Sequence, residues 1–134
     1  MTRIESDKKT VNKPDEILFG FLCNLNNWEQ LMPDRVADWK STETSCYFSI
    51  KGTANLGMRI YKTEPYSGIM LADDGKVPFP FRFEVIINKL DYLSSEILFA
   101  FEADLNPMLK MLAVAPLKNF LNMIADKLQN IEIM

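Results

Sequence analysis

The chain contains no histidine, which removes the commonest general base and the commonest metal ligand. Cys23 therefore has no imidazole to activate it as a nucleophile. Cys23 and Cys46 are too few for a disulfide scaffold and lack metal-ligand spacing. One falls on an expected helix and the other on an expected strand, so both read as small buried hydrophobes. Tyr47, Tyr61 and Tyr66 could supply hydroxyls to polarise a carbonyl, as a cyclase-like enzyme would need. Tyr47 and Tyr61, however, are out of phase with the apolar face of their strands. The carboxylate pair Asp73–Asp74 lies in "ADDGK", which reads as a solvated hairpin turn. Asp34 and Arg35 follow a helix end, and Arg59, Arg82 and Glu84 fall on an outer sheet face by parity, so these read as surface charges. The five glycines are scattered and form no phosphate loop. The expectation is no catalytic residue set, no metal site and no cofactor.

Composition bounds the partners. A chain of 134 residues predicts one domain spanning 1–134. At that size roughly 65–70% of the unfolded surface is buried, enough for a core without metals or disulfides. The net charge is −3, and the longest basic run is the pair Lys8–Lys9, so no stripe exists to neutralise nucleic-acid phosphates. The first residues, "MTRIESDKKTV", contain no apolar signal core, and the expected location is a reduced cytoplasm.

The elements that position these side chains follow from periodicity. Residues 3–11 alternate weakly as a first strand. In "NKPDEILFGFLCNLNNWEQLMPDR", Pro14, Asp15 and Glu16 suit a helix start, and Ile17, Leu18, Phe21 and Leu22 recur at helical spacing. Asn26 or Asn27 can cap a second short helix, with Asn27 and Gln30 as a capping box and Pro33 at its stop. Strands are expected at 36–41, 44–51, 54–64, 67–72, 80–90 and 94–104. "KGTAN", "DDGK" and "KLDYLSS" supply the turns. One face gathers Cys46, Phe48, Ile50, Leu56, Met58 and Ile60, then Phe79, Phe81, Phe83, Val85 and Ile87, then Ile97, Phe99, Phe101 and Ala103. The other carries Ser49, Lys51, Arg59, Arg82, Glu84, Glu96 and Glu102. Short connections between one-sided strands make an antiparallel meander. Pro78 and Pro80 suggest a strand entering from an edge or bulge.

The last segment, "DLNPMLKMLAVAPLKNFLNMIADKL", starts with an Asn106 N-cap and Pro107 at the first helical position. Asp104, Lys110, Lys118 and Asp126 interrupt it, so it is not a transmembrane span. Leu117, Phe120, Leu121, Ile124, Leu128 and Ile131 share one arc of the wheel. Lys118, Asn119, Asn122, Asp126, Gln129 and Asn130 share the opposite arc. The first half, with Met108, Leu109, Met111, Leu112, Val114 and Ala115, is apolar all round, and such a helix is normally covered on several sides. Pro116 removes the hydrogen bond to the Leu112 carbonyl and is expected to kink or break the helix.

The segments "NKPDEILFGFLCNLNNWEQLMPDRV", "GKVPFPFRF" and "FEADLNPMLKMLAVAPLKNFL", in this order along the chain, resemble the SRPBCC superfamily. That group includes START-like lipid-binding domains, polyketide cyclases and pollen-allergen-like proteins, and the likeness is to its small START-like members of one bacterial group. The resemblance implies an α+β helix-grip fold: a curved antiparallel sheet of about seven strands (β-α-α-β6-α) gripping a long kinked C-terminal helix, with a cavity between. Laid on this sequence, the implied lining is Trp39, Phe48, Leu56, Met58, Ile60, Leu71, Phe81, Phe83, Phe99, Phe101, Met108, Met111 and Leu112. Strand parity agrees with most of these positions.

Three functions follow, in order. The first is binding or transport of a hydrophobic small molecule or lipid in that cavity. The second is a protein-interaction module using the apolar helix start, which requires an exposed patch around 108–114. The third is a cyclase- or hydrolase-like enzyme, which requires polar side chains converging inside.

Overall fold

The computed structural model describes residues 1–52, 54–75 and 79–133. Thr53 of the first glycine turn, Lys76 of the second and Pro78 of the expected strand entrance lie outside the described residues. In chain order the elements are strands β1 (Thr2–Glu5) and β2 (Lys9–Val11), helix α1 (Asp15–Leu22) and a 3₁₀ helix (Leu25–Leu31). Strands β3 (Val36–Ser41), β4 (Ser45–Ile50), β5 (Ala54–Glu64), β6 (Gly68–Asp73), β7 (Phe81–Lys89) and β8 (Ser95–Ala103) follow, then helix α2 (Pro107–Asn130). They form one 8-stranded sheet in the order β1-β8-β7-β6-β5-β4-β3, with β2 also pairing β8. Every pairing is antiparallel.

The expected strands are all present, with two corrections near the N-terminus. The first strand divides at Ser6, whose N–H donates to the Phe99 carbonyl at 2.8 Å and whose hydroxyl accepts from the Phe99 N–H at 3.0 Å. A side chain thus substitutes for a backbone carbonyl, and the ladder to β8 restarts three residues later. The second helix is a 3₁₀ helix capped by Asn24, not by Asn26 or Asn27. The Asn24 Oδ1 accepts from the Asn26 N–H at 3.0 Å, and Asn27 instead donates its side-chain amide to the Phe21 carbonyl.

Two bulges bend the sheet. One lies between Ala37 and Lys40, with Asp38 at φ 58, and the other between Ile60 and Lys62. An extra residue on one strand of a pair bends that strand and increases its twist. At the β6–β7 connection Asp73 accepts from the Gly75 N–H (2.8 Å) and the Phe81 N–H (3.0 Å), fastening the turn at both ends. Gly75 takes φ 83 there, a conformation that a side chain disfavours. Gly57 on β5 has a different reason: a Cβ would collide with the Asp74 carboxylate folded over it.

The inner-face residues read from strand parity are buried, Ile60 alone being half-buried beside its bulge. Trp28 fills the centre with no exposed surface, its ring against Phe83 and Phe99 and its N–H on the Leu22 carbonyl at 2.9 Å. A buried indole N–H needs such an acceptor, and the end of α1 supplies it.

Candidate functional site: helix α2 and the face it covers

Helix α2 begins as its sequence dictates, with the Asn106 Oδ1 accepting from the Leu109 N–H at 2.9 Å and Pro107 in the first turn. It runs continuously through Pro116. Its two halves are held differently. In the second half Leu117, Phe120, Leu121, Ile124, Ala125 and Leu128 are buried. The opposite, polar arc is also occupied. Lys118 Nζ donates to the Glu5 carbonyl (3.0 Å), Asn122 Oδ1 accepts from the Asp7 N–H (2.7 Å), and Gln129 Nε2 donates to the Thr10 carbonyl (2.9 Å). Asp126 pairs with Lys9 at 3.1 Å. A stripe spaced by four, four and three residues thus satisfies backbone groups along the β1–β2 edge of the sheet.

The first half has no such stripe. Met108, Met111 and Leu112 are 72%, 87% and 68% exposed. Leu109 and Val114 are half-buried against the core, and only Ala113 is buried. The apolar start of α2, expected to be covered, stands in solvent.

The implied cavity lining is divided by this arrangement. Phe48, Leu56, Met58, Leu71, Phe81, Phe83, Phe99 and Phe101 meet on the inner face of the sheet, each no more than 3% exposed. Trp39 and Ile60 are half-buried at its margin. Met108, Met111 and Leu112 lie apart from all of these, on the outside of α2. The inner-face rings fill one another's space. Trp39 stacks on Phe48 (centroids 5.3 Å apart), Phe48 on Phe120 of α2 (5.8 Å), and Phe81 on Phe101 (4.9 Å). A void able to hold a water would leave accessible surface on its walls. These side chains have almost none, so no ligand-sized void lies among them.

Recesses lie elsewhere. One of about 540 Å³ runs beside α1, lined by Ile17, Gly20, Phe21, Gln30 and Ile133. Another of about 390 Å³ lies on the outer sheet face between Tyr61, Arg82, Arg3, Glu84 and Glu102. There Arg3 bridges Glu5, Glu84 and Glu102 at 2.8, 3.4 and 2.6 Å, while Arg82 donates to the Tyr61 hydroxyl at 3.1 Å. Of these, Arg82, Glu84 and Glu102 are outer-face charges that strand parity assigned to the surface.

The interior offers little polar chemistry. Among the described residues the buried polar side chains are Ser6 and Ser95. Ser6 is used on Phe99, and Ser95 donates to the Lys13 carbonyl at 3.0 Å. Tyr47, Tyr61 and Tyr66 are exposed. Burial, with the Asp74 carboxylate nearby, pushes the Cys46 thiol from about 9 up to about 12. Such a thiol stays protonated and unreactive. No group of three or more His, Cys, Asp or Glu is placed to hold a metal among the described residues. No helix there is long and apolar enough to cross a membrane.

No family model matches the chain, and no curated protein does. Solved structures do match along nearly its full length. The protein XoxI from Bacillus cereus superposes with a TM-score of 0.76 at 10% identity, covering 97% of this chain and 94% of its own. Norcoclaurine synthase from Thalictrum flavum, in complex with a transition-state analogue, gives 0.74 at 10% identity, covering 96% and 92%. A START superfamily protein from Mycobacterium smegmatis gives 0.69 at 14% identity, covering 96% and 94%. At these identities the likeness speaks to architecture. With its curved antiparallel sheet closed around a long C-terminal helix, this chain has the helix-grip fold of the START-like, SRPBCC-type proteins.

Proposed function

We propose that the protein binds a hydrophobic small molecule between the sheet and α2, admitted when the first half of α2 moves away from the aromatic face. The observation that carries this reading is the contrast within α2. The half beyond Pro116 is fixed by its buried arc and its polar stripe, whereas the half before it rests on Leu109, Ala113 and Val114. The missing hydrogen bond at Pro116 makes that position the natural joint. The ligand would take the place that the rings now give one another, with Trp39, Ile60 and Leu109 at its margin and Phe48, Phe81 and Phe101 beneath it. Leu56, Met58, Leu71, Phe83 and Phe99 would form the floor, and Met108, Met111 and Leu112 the outside of the lid. A lipid, fatty acid, polyketide or isoprenoid matches that chemistry. The driving force is burial of apolar ligand surface, roughly 25 cal/mol per Å² before the costs of association and opening. Proteins of similar fold include the norcoclaurine synthase above, solved with a transition-state analogue, and the di-domain ARO/CYC BexL from the BE-7585A biosynthetic pathway, which matches with a TM-score of 0.68 and of which this chain spans about half (46%).

The test is native mass spectrometry of gently purified protein, followed by titration with a fluorescent fatty acid. A retained lipid-like mass, or saturable uptake of one equivalent, is expected. An apo mass together with no saturable uptake overturns the reading.

A second reading has its own observation. The alternative of a protein-interaction surface at the start of α2 is supported by the exposure of Met108, Met111 and Leu112.

A further inference from the structure

The outer face of the sheet sets charges side by side through its register. Arg82 on β7 stands opposite Glu102 on β8, and Arg3 on β1 stands opposite the same Glu102 from the other side. Glu84, two residues along β7 from Arg82, shares that face. Opposed residues of a strand pair lie about 4.5–5.5 Å apart at Cβ, so Arg82 is within reach of Glu102. The two nevertheless lean apart. Arg3 takes Glu102 at 2.6 Å, Glu5 at 2.8 Å and Glu84 at 3.4 Å. Arg82 lies instead over the Tyr61 ring, 5.4 Å from its centroid, and donates to the Tyr61 hydroxyl at 3.1 Å. Among the described residues Arg82 makes no ion pair. Exposed ion pairs add little to stability, so folding alone does not require this division.

Between the parted side chains lies the recess of about 390 Å³. Its β5 side presents Arg82, whose one bond to Tyr61 leaves most of its N–H donors unused. Its β1 side presents Glu84 and Glu102. Each spends Oε1 on Arg3, and neither Oε2 accepts a side-chain hydrogen bond among the described residues. Three carboxylates around the single Arg3 cation leave this side net negative. Met70 and Ala100, opposite Glu84 on its two neighbouring strands, supply apolar lining.

We infer that this recess binds a small zwitterion, a free amino acid with an apolar side chain. Its carboxylate meets the Arg82 guanidinium, its ammonium meets the unused oxygens of Glu84 and Glu102, and its side chain lies against Met70 and Tyr61. A guanidinium matches a carboxylate in shape as well as in charge. A simple acid satisfies Arg82 but leaves the negative side unmet, and a simple amine does the reverse. The ligand class follows from two opposite charges held apart on one face, each with bonding capacity to spare. The site lies on the opposite face of the sheet from the aromatic interior, and the inference does not rest on the ligand reading given for that interior.

The experiment is an NMR titration of the full chain, following backbone amides and arginine side-chain N–H groups. The probes are L-leucine and its two singly charged relatives, 3-methylbutylamine and 4-methylpentanoate. Saturable shifts centred on Arg82, Glu84 and Ala100 are expected with leucine, and each relative should bind about fivefold more weakly or worse. Arg82→Gln and Glu84→Gln should each weaken leucine binding by about fivefold or more. Glu84→Gln leaves Arg3 its two shorter bonds, so it serves alone if a circular-dichroism melt shows Arg82→Gln unfolded. Absence of saturable shifts up to about 10 mM leucine overturns the proposal. So does a relative that binds as tightly as leucine, or leucine binding that folded variants leave unchanged. Shifts centred on the inner-face aromatic residues also overturn it, since they put the amino acid elsewhere. The ligand reading fails separately: leucine binding with no fatty-acid uptake rejects that reading alone, and uptake with no leucine binding rejects this site alone.

Discussion

Helix α2 is two helices in physical terms. Beyond Pro116 its polar residues are held as firmly as its apolar ones, Lys118, Asn122 and Gln129 each bonding a backbone group of the sheet edge. Before Pro116 the outward apolar residues Met108, Met111 and Leu112 stand in solvent, Met111 at 87%. Side-chain polarity therefore does not decide what fastens this helix. Geometry against the sheet decides it, because a polar group beside an unpaired strand edge has more to gain there than in water. An apolar group turned away from the sheet gains nothing.

This contrast can be tested in order of expected effect. Phe120→Ala, removing the ring that bridges α2 to Phe48, should cost about 3–5 kcal/mol in urea denaturation. A loss near zero would mean that the second half is no better fastened than the first. Cys46, two residues before Phe48 on the same face of β4, gives a pH signature. Its folded-state pKa of about 12 lies above its ordinary value of about 9. The folded thiol therefore keeps a proton that the unfolded chain releases, and stability should be full below about pH 9 and fall by up to roughly 1.4 kcal/mol per pH unit as the pH rises towards 12. Cys46→Ala should remove that component of the alkaline slope. A cysteine placed by Met111→Cys should react with a thiol reagent in the native state while Cys46 does not, and equal rates would erase the distinction. Asn122→Ala should cost about 1 kcal/mol, because the Asp7 N–H loses its acceptor. The smallest effect belongs to the first half: Met111→Ala should change folding stability by no more than about 0.5 kcal/mol.

Much of this fold was legible in the chain. The parity of β4, β5, β7 and β8 placed their buried residues, because strands wet on one face must alternate. Asn106 and Pro107 placed the start of α2 from their local chemistry alone. The break at Ser6 was not legible, since it depends on Phe99, which lies 93 positions away in the chain. The cap sits at Asn24 rather than Asn26 or Asn27, with the Asn27 amide instead bonded to the Phe21 carbonyl at the end of α1. The candidate site was half legible. Its aromatic floor follows from strand parity, but the outward turn of Met108, Met111 and Leu112 does not follow from a segment apolar on every side. The wheel has no preferred direction there, and only the sheet below could select one.

The stitching of α2 to the sheet edge also bears on how the chain reaches its structure. Lys118 meets Glu5 and Asn122 meets Asp7 across separations of 113 and 115 residues, and among the described residues β1 pairs with β8 alone. Contacts of this range carry the loop-closure entropy of a long intervening chain, which slows folding. During synthesis the first strand has no partner until β8 emerges, and its outer edge none until α2 does. Strand β1 is made before the elements that secure it.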